Sequence, residues 1–365
     1  MMTFKKKTLG LSAFVASALI LTGCASSSEP ASEAGAVAQG DIPEWCGTDK
    51  EISLAMLDGF GGNPWRQIAV ASAEEEVAKC PSVTSFEYAD AQGDTQKAIS
   101  DINAMTATGV NAMVVFADMG EPVLPAIRSA YEAGVVMVPY RSDVGGEAGE
   151  DYDLFVPSAP FDSGVLWGNW IKETYPDGAT LIFAGGPAGG YQSTEERRGV
   201  DSVLTDAKYQ WVGEQPFEVT DWDPAKTQQV LTAAAAKYPD IDVIVGSYGS
   251  SFIGGLQAFE SAGLPMPSIA AEDGHALGCF WTENHEANPG FNVFTVTTGI
   301  DHVRLAIQHA VAIATGGVEP SEQFSVETFE DSTSEEYPVQ CDPTLPLDVH
   351  LSGELPAEEL VKLFG

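Results

Sequence analysis

From residue 52 onward, short apolar runs alternate with longer stretches of helical periodicity. Ile52–Leu57 is a compact apolar run, and Asn63-Pro64 can begin the next helix, with the asparagine as N-cap and the proline in the first turn. Asp94 can cap a second helix, which Gly109 can end. The same alternation predicts strands at 83–88, 112–117, 135–140, 179–184, 243–247, 268–271 and 292–297, helices at 121–133, 161–174, 194–206, 224–237, 252–262 and 301–314, and an extended segment at 211–219.

Strands that alternate with helices predict parallel sheets covered by helices on both faces. Because two such series follow one another in 365 residues, we predict an α/β fold of two doubly wound parallel-sheet lobes joined by three crossing strands. We place the N-terminal lobe at 47–156 plus 298–325, and the C-terminal lobe with a tail at 157–297 plus 326–365.

The N-terminus has the features of an export signal. Three lysines at positions 5–7 precede the short apolar segment Leu9–Ile20, which is too short for a good spanning helix. The following Leu21-Thr22-Gly23-Cys24 resembles a bacterial lipobox, which implies cleavage before Cys24 and lipidation of that residue. The alternative is an ordinary secretory signal with an incidental cysteine. Residues 25–46 are rich in Ser, Ala, Glu, Gly and Pro, and we interpret them as a flexible tether.

Four cysteines remain after Cys24, and an even number in an exported chain predicts two disulfides. Three connectivities are possible; we favour Cys46–Cys80 and Cys279–Cys341, because each pair joins segments that we expect to be neighbours. Free buried thiols are the alternative, and zinc binding is disfavoured because no pair has C-x-x-C spacing.

The formal charge is −36, and removal of the three lysines of the signal makes it −39. A phosphate backbone needs a basic face, so nucleic acid is excluded as a partner. Such a surface keeps a protein soluble, and we expect a monomer. Positive charge is scarce, with six arginines in the chain, so the positions of the arginines are informative.

Ligands of open parallel sheets bind beyond the carboxyl ends of the strands, and the loops predicted there contain an unusual set of side chains. The aromatic members are Trp65, Trp222, Tyr191 and Tyr248, and the polar members are Arg66, Arg141, Arg198, Asp273 and Asn63. Aromatic rings fit the apolar faces of a sugar, and charged or amide groups fit its rim of hydroxyls. The pattern therefore favours a polyhydroxylated ligand.

Several of these loops resemble motifs of the periplasmic sugar-binding proteins related to ribose-binding protein. Gly62-Asn63-Pro64-Trp65 resembles the Asn-Pro-aromatic turn after their first strand, and Glu196-Arg197-Arg198-Gly199 resembles the Glu-Arg-Gly opening of a helix in their second lobe. Asp221-Trp222-Asp223 and Glu272-Asp273-Gly274 resemble an Asp-aromatic-Asp loop and a Phe-Asp-Gly loop. The resemblance runs from about Glu51 to Val318 and implies a type I periplasmic binding protein fold. It implies ligand contacts from Asn63, Trp65, Arg141, Arg198, Trp222 and Asp273.

Other positions depart from the family pattern. Arg66 replaces a second aromatic residue, Tyr140 an aspartate, Tyr248 an asparagine and Thr297 a glutamine. We keep Arg66, Tyr248 and Thr297, together with Tyr191, among the predicted ligand-binding residues. The class of sugar or polyol ligands stands, whereas ribose itself is put in doubt.

The sequence contains no complete motif for catalysis or for cofactor binding among those considered. The glycine-rich run 185–190 lacks the Gly-Lys-Ser/Thr ending of a phosphate loop, and the five histidines show no metal-ligand spacing. Gly-x-Ser-x-Gly is absent, and the acidic pair Asp221 and Asp223 is typical of caps and solvated charges. We predict no catalytic residue, metal or cofactor.

The resemblance implies an extracytoplasmic lipoprotein, anchored to the membrane by its lipid, that closes about a hinge on a sugar or polyol. It also implies delivery of the ligand to the permease of an ABC importer. One alternative is a sensor that presents the ligand to a membrane receptor, and another is an exported hydrolase. A transcriptional repressor with the two-lobe fold is disfavoured by the signal peptide and by the lack of a basic helix-turn-helix.

Overall fold

The computed structural model describes residues 42–321 and 324–365. The predicted signal peptide, the lipidation site Cys24 and most of the predicted tether lie outside the described residues. Within the described part, no helix has the length and apolar character needed to cross a membrane.

The first sheet contains five parallel strands in the order β2-β1-β3-β4-β5. The strands are β1 (Ile52–Asp58), β2 (Val83–Asp90), β3 (Ala112–Phe116), β4 (Val136–Arg141) and β5 (Val156–Pro157), and the helices between them are α1 (Pro64–Ala78), α2 (Thr95–Thr108) and α3 (Leu124–Glu132). A 3-10 turn, Glu121–Val123, precedes α3. Asn63 caps α1 by accepting a hydrogen bond from the amide of Arg66 at 2.9 Å. Asp94 caps α2 and Gly109 ends it in the left-handed conformation, so the caps predicted for both helices are confirmed.

The second sheet has the order β12-β11-β10-β9-β6-β7, with β8 paired to β6. Its strands are β6 (Ala179–Gly185), β7 (Tyr209–Trp211), β8 (Glu218–Val219), β9 (Val243–Tyr248), β10 (Ser268–Glu272), β11 (Val293–Val296) and β12 (Thr328–Asp331). Its pairings are parallel, except that β12 is antiparallel to β11. The extended segment predicted at 211–219 is thus divided between β7 and β8.

Five helices cover the second sheet: α4 (Pro160–Thr174), α5 (Tyr191–Val203), α6 (Pro224–Lys237), α7 (Ile253–Ser261), which follows the 3-10 turn Gly249–Phe252, and α8 (His275–Asn284). One face of the sheet packs on α4 and α5, and the other packs on α6, α7 and α8. Helices α4 and α5 approach so closely that Gly164 and Gly199 leave no room for a Cβ against the backbone of the opposite helix. This contact fixes the position of α5, whose inner face reaches the site.

The chain returns to the first sheet in α9 (His302–Thr315) and again in α10 (Ala357–Phe364), which follows the 3-10 turn Leu351–Gly353. We assigned residues 326–365 to the C-terminal lobe and its tail. In the structure β12 does pair with the second sheet, whereas Val349, Leu355 and Leu360 pack in the core of the first sheet beside α1 and α9. The chain therefore passes between the sheets a fourth time, after Cys341.

The structure contains the two disulfides that we favoured, Cys46–Cys80 and Cys279–Cys341. His275 lies beside the second disulfide, and its imidazole is held at both nitrogens. Nδ1 is 2.8 Å from the carbonyl oxygen of Pro346, and Nε2 accepts from the amide of Asp342 at 2.9 Å. These bonds fix the segment that begins the fourth crossing.

Candidate functional site

The carboxyl ends of strands from both sheets lie against the crossing segments. A small cavity there is lined by Arg141 at the end of β4, by Gln192 and Glu272 from the second sheet's side, and by the crossing residues 158–160 and 297–299. Ser163, His302, Phe324 and Val326 complete its lining. The cavity has a volume of about 10 Å³, which is room for about one water molecule. A sugar therefore requires the cleft to be wider than it is in this conformation.

On the first sheet's side, Arg66 bridges two aspartates. Its Nη1 lies 2.6 Å from Asp58 and its Nη2 lies 2.7 Å from Asp118, while its guanidinium stacks 3.6 Å above the ring of Phe116. Burial raises the pKa of Asp58 to about 6, although Arg66 opposes that shift. The second carboxylate oxygen of each aspartate is buried without a hydrogen-bond partner.

Two guanidinium groups lie against the ring of Trp65. The carbon centre of Arg66 lies 5.1 Å from its ring and that of Arg141 lies 4.8 Å away, and Phe116 meets the indole edge to face at 6.0 Å. The indole is only partly buried. Cation–π contacts of this kind fix the ring in place, so its orientation is set before any ligand arrives.

Arg141 takes a positive φ of 63°, a conformation that is uncommon for residues other than glycine. Its Nη1 donates to the carbonyl oxygens of Thr298 and Gly299 at 2.9 and 2.8 Å. The guanidinium therefore links β4 to the crossing segment between β11 and α9. Its Nε has no hydrogen-bond partner although the residue is buried.

The second sheet's side presents a pair of buried glutamates. Gln192 Nε2 donates to Glu196 at 2.7 Å and to Glu272 at 3.1 Å, and the hydroxyl of Ser247 donates to Glu196 at 2.7 Å. Burial is the main cause that raises the pKa of Glu196 to about 8, and burial together with the charge of Glu196 raises the pKa of Glu272 well above its usual value. The pair thus favours holding a proton at neutral pH.

Asp273, predicted as a ligand contact, faces the C-terminal segment. Its Oδ2 accepts from the amides of Leu351 and Ser352 at 2.8 and 3.2 Å, and its Oδ1 accepts from the hydroxyl of Ser352. The residue is 1% exposed. In this conformation its carboxylate is occupied by the protein itself, and its contact with ligand stays a prediction.

Two predicted residues on α5 point to solvent. The side chain of Arg198 is 65% exposed and pairs with Glu195, and Tyr191 is 48% exposed. Arg198 follows Glu196 by two residues, which is about 200° around a helix, so the helix cannot bring both side chains to one surface. Arg197 turns inward instead, where it stacks on Trp211 and pairs with Asp201.

Of the ten residues predicted to bind ligand, Arg141 and Thr297 line the cavity. Thr297 forms hydrogen bonds with the backbone of Glu327. Asn63 is exposed and acts as a helix cap.

Trp222 and Asp221 lie in a strained turn, in which both residues take a positive φ. The ring of Trp222 packs on Gly186. Tyr248 is partly buried, with its ring 6.3 Å from that of His350. The assignment of these residues to the site stays a prediction.

The sequence interpretation missed both glutamates. Glu272 ends a strand, Ser268–Glu272, that is otherwise buried and uncharged, and a charged residue in that position was the available signal. Glu196 lies one helical turn after Gln192 and begins the Glu-Arg-Arg-Gly motif, in which Arg198 is the predicted ligand contact. His302 and Phe324, whose rings are 3.4 Å apart, carried no signal in the sequence.

Residues 55–276 match the family model described as a periplasmic binding protein domain. The chain belongs to this family. The resemblance proposed from the sequence motifs is thereby confirmed. Among curated proteins, this periplasmic binding protein is 26% identical over 226 residues to the ribose import binding protein of Bacillus subtilis, which is 60% of this chain and 71% of that protein. It is 24% identical over 239 residues to the D-xylose-binding periplasmic protein of Escherichia coli, which is 63% of this chain and 69% of that protein.

Solved structures agree on the architecture. A myo-inositol binding protein of Caulobacter superposes with a TM-score of 0.65 at 20% identity, over 76% of this chain and 92% of that one. An ABC transporter solute binding protein of Mycobacterium smegmatis, with bound glycerol, superposes with a TM-score of 0.66 at 20% identity, over 80% and 98% of the two chains. The predicted type I periplasmic binding protein fold is confirmed.

Proposed function

We propose that this periplasmic binding protein is an exported lipoprotein that captures a sugar or polyol between its two sheets and delivers it to an ABC importer. The observation that carries the proposal is the held indole of Trp65, which offers a partly exposed aromatic surface beside Arg66 and Arg141. An aromatic face with charged hydrogen-bonding groups at its edge suits a polyhydroxylated ring. The names of the ribose-binding and xylose-binding relatives support the same class of ligand.

The proposed mechanism is hinge closure. The crossing residues 158–160 and 297–299 line the cavity together with Phe324, so a rotation about these segments changes the volume of the cleft. A ligand that contacts both sides stabilises the closed form by the difference between its contacts in the two forms. The function proposed is binding and delivery, without a chemical step.

Export and anchoring rest on the sequence of residues 1–24, with lipid attached to Cys24. The membrane partner is the permease of the importer, and we propose that the protein acts as a monomer. Labelling of intact cells with a radioactive fatty acid, for the parent and for Cys24→Ala, tests the anchor. Incorporation that persists in C24A overturns it.

Thermal unfolding of the protein without residues 1–24 tests the ligand class, in the presence of pentoses, hexoses, polyols, sugar acids and nucleosides. A binder at about 100 times its Kd stabilises the fold by roughly 2.7 kcal/mol, which raises Tm by several degrees. We expect a shift with a sugar or polyol, and Trp65→Ala should weaken that binding by about tenfold or more. Trp281→Ala, which removes the indole of α8 that stacks on His285, is the matched control. No shift with any sugar or polyol contradicts the proposal.

A further inference from the structure

Glu196 and Glu272 form a buried acidic pair that has no cationic partner. Glu196 is 0% exposed and Glu272 is 8% exposed, and Gln192 donates one hydrogen bond to each. Within residues 42–321 and 324–365, no lysine or arginine nitrogen lies within 4.0 Å of either carboxylate. Buried carboxylates are normally paired or hydrogen-bonded in full, since an isolated buried charge is costly.

The nearest compensating charge comes from the opposite side of the cleft. Arg141 acts electrostatically on both glutamates, but its Nη1 is already bound by two backbone carbonyls. One guanidinium acts on three acidic groups, because Asp301 also interacts electrostatically with Arg141. His302 adds no charge, since burial lowers its pKa well below the usual value. The closed cleft therefore has an excess of acidic groups.

An independent observation indicates that this cavity receives a polar ligand. Arg141 and His302 line it together with Glu272 and Gln192. They are 7% and 1% exposed, and each has one nitrogen without a partner, Nε and Nε2 respectively. Nδ1 of His302 donates to the carbonyl oxygen of Gly299, and the backbone of Pro157 also interacts with the ring. The cavity thus holds an unused N–H donor on Arg141, whose hydrogen bond the oxygen of a hydroxyl group can accept.

We infer that the ligand is a polyhydroxylated amine, whose ammonium group is received by Glu272, the glutamate that lines the cavity and shares the amide of Gln192 with Glu196, while its hydroxyls bond to Arg141. The inference rests on the proposed binding function and narrows its ligand class. An ammonium has three donors and supplies the charge that the pair lacks. The proton that the empty pair holds passes to solvent as the ammonium enters, so one positive charge replaces another. The net charge of −36 attracts such a cation.

Titration calorimetry with matched neutral and amino ligands tests the inference: D-glucose against D-glucosamine, D-galactose against D-galactosamine, D-glucitol against D-glucamine, and myo-inositol against an inosamine. The protein without residues 1–24 is titrated at pH 7 in phosphate and in MOPS, whose different ionisation enthalpies reveal proton exchange. We expect an amino ligand to bind about tenfold or more tightly than its neutral partner, with net release of protons. Glu196→Gln and Glu272→Gln should each remove that preference, whereas Glu260→Gln, an exposed charge on α7, should retain it.

The outcomes separate this inference from the proposed function. If neutral members bind as tightly as their amino partners, without proton release, the inference is overturned and sugar or polyol binding stands. If no member binds, both fail. The comparison within each ligand pair uses the parent protein, so it decides the question even where a glutamine variant does not fold.

Discussion

Ser352 joins Asp273 to the crossing segment that leads out of the second sheet. Its hydroxyl donates to Asp273 Oδ1 and accepts from the amide of Thr298 at 3.0 Å, and its own amide donates to Asp273 Oδ2. One side chain of the C-terminal segment thus links the end of β10 to the residues that follow β11. A rotation that separates the end of β10 from the residues after β11 must break hydrogen bonds of Ser352, unless the C-terminal segment moves with one of them.

Asp273→Ala should lower the free energy of unfolding by about 3 kcal/mol, because it leaves the partly buried amide of Leu351 and the buried amide and hydroxyl of Ser352 without their acceptor. Ser352→Ala, which removes one hydroxyl, should cost about 1 kcal/mol. Urea unfolding of both variants measures the difference. Ligand affinity is a separate readout: D273A that binds ligand as tightly as the parent contradicts the predicted contact, whatever its stability.

Arg66→Met should destabilise the fold by about 3–5 kcal/mol, because it leaves Asp58 and Asp118 without the cation that pairs with both of them. Arg128→Met is the matched control. Arg128 pairs with Asp151, but its side chain is 45% exposed, and such a surface pair contributes about 1 kcal/mol or less. Equal losses of urea stability in the two variants would show that the buried bridge is not formed in solution.

The stability of the parent should fall as the pH rises from about 5 to 8.5. The pKa of Glu196 is raised by burial from 4.5 to about 8, so the native protein keeps a proton that the unfolded chain has already lost. The stabilisation from this group is complete below the unfolded pKa and is lost as the pH rises through the folded pKa.

Glu196→Gln should therefore show a smaller fall in unfolding free energy between those two pH values than the parent does. Urea denaturation at each pH measures it, with Glu260→Gln as the control that keeps the parent slope. Asp58 and Glu330, whose pKa values burial raises to about 6 and about 7, contribute equally to all three proteins. Parallel slopes for E196Q and the parent would contradict the burial of an uncompensated Glu196.

Loss of the Cys279–Cys341 disulfide should cost about 4 kcal/mol by the chain-entropy argument, because the two residues are 62 apart in sequence. The double variant with both cysteines replaced by alanine, compared with the corresponding variant of Cys46–Cys80, measures it in urea. The second pair is separated by 34 residues, so its loss should cost slightly less. Costs below about 1 kcal/mol for both would show that the bonds do not form.

The family and the alternation of strands and helices could be predicted from the sequence, because apolar periodicity and capping residues are local features. Asn63 and Asp94 cap the helices expected of them, and both disulfides join the expected cysteines. Helix α8 was not predicted, since His275–Asn284 lies between two strands without a capping side chain at its start.

What the sequence determined by itself is the class of fold, the family and the ends of the strands around which the site is built. Only the tertiary structure decided which side chains those ends turn inward. The rotation of α5 against α4 exposes Arg198 and buries Glu196, and the returning C-terminal segment covers Asp273. Helix packing and long-range chain return depend on contacts between residues far apart in sequence, and no local pattern encodes them.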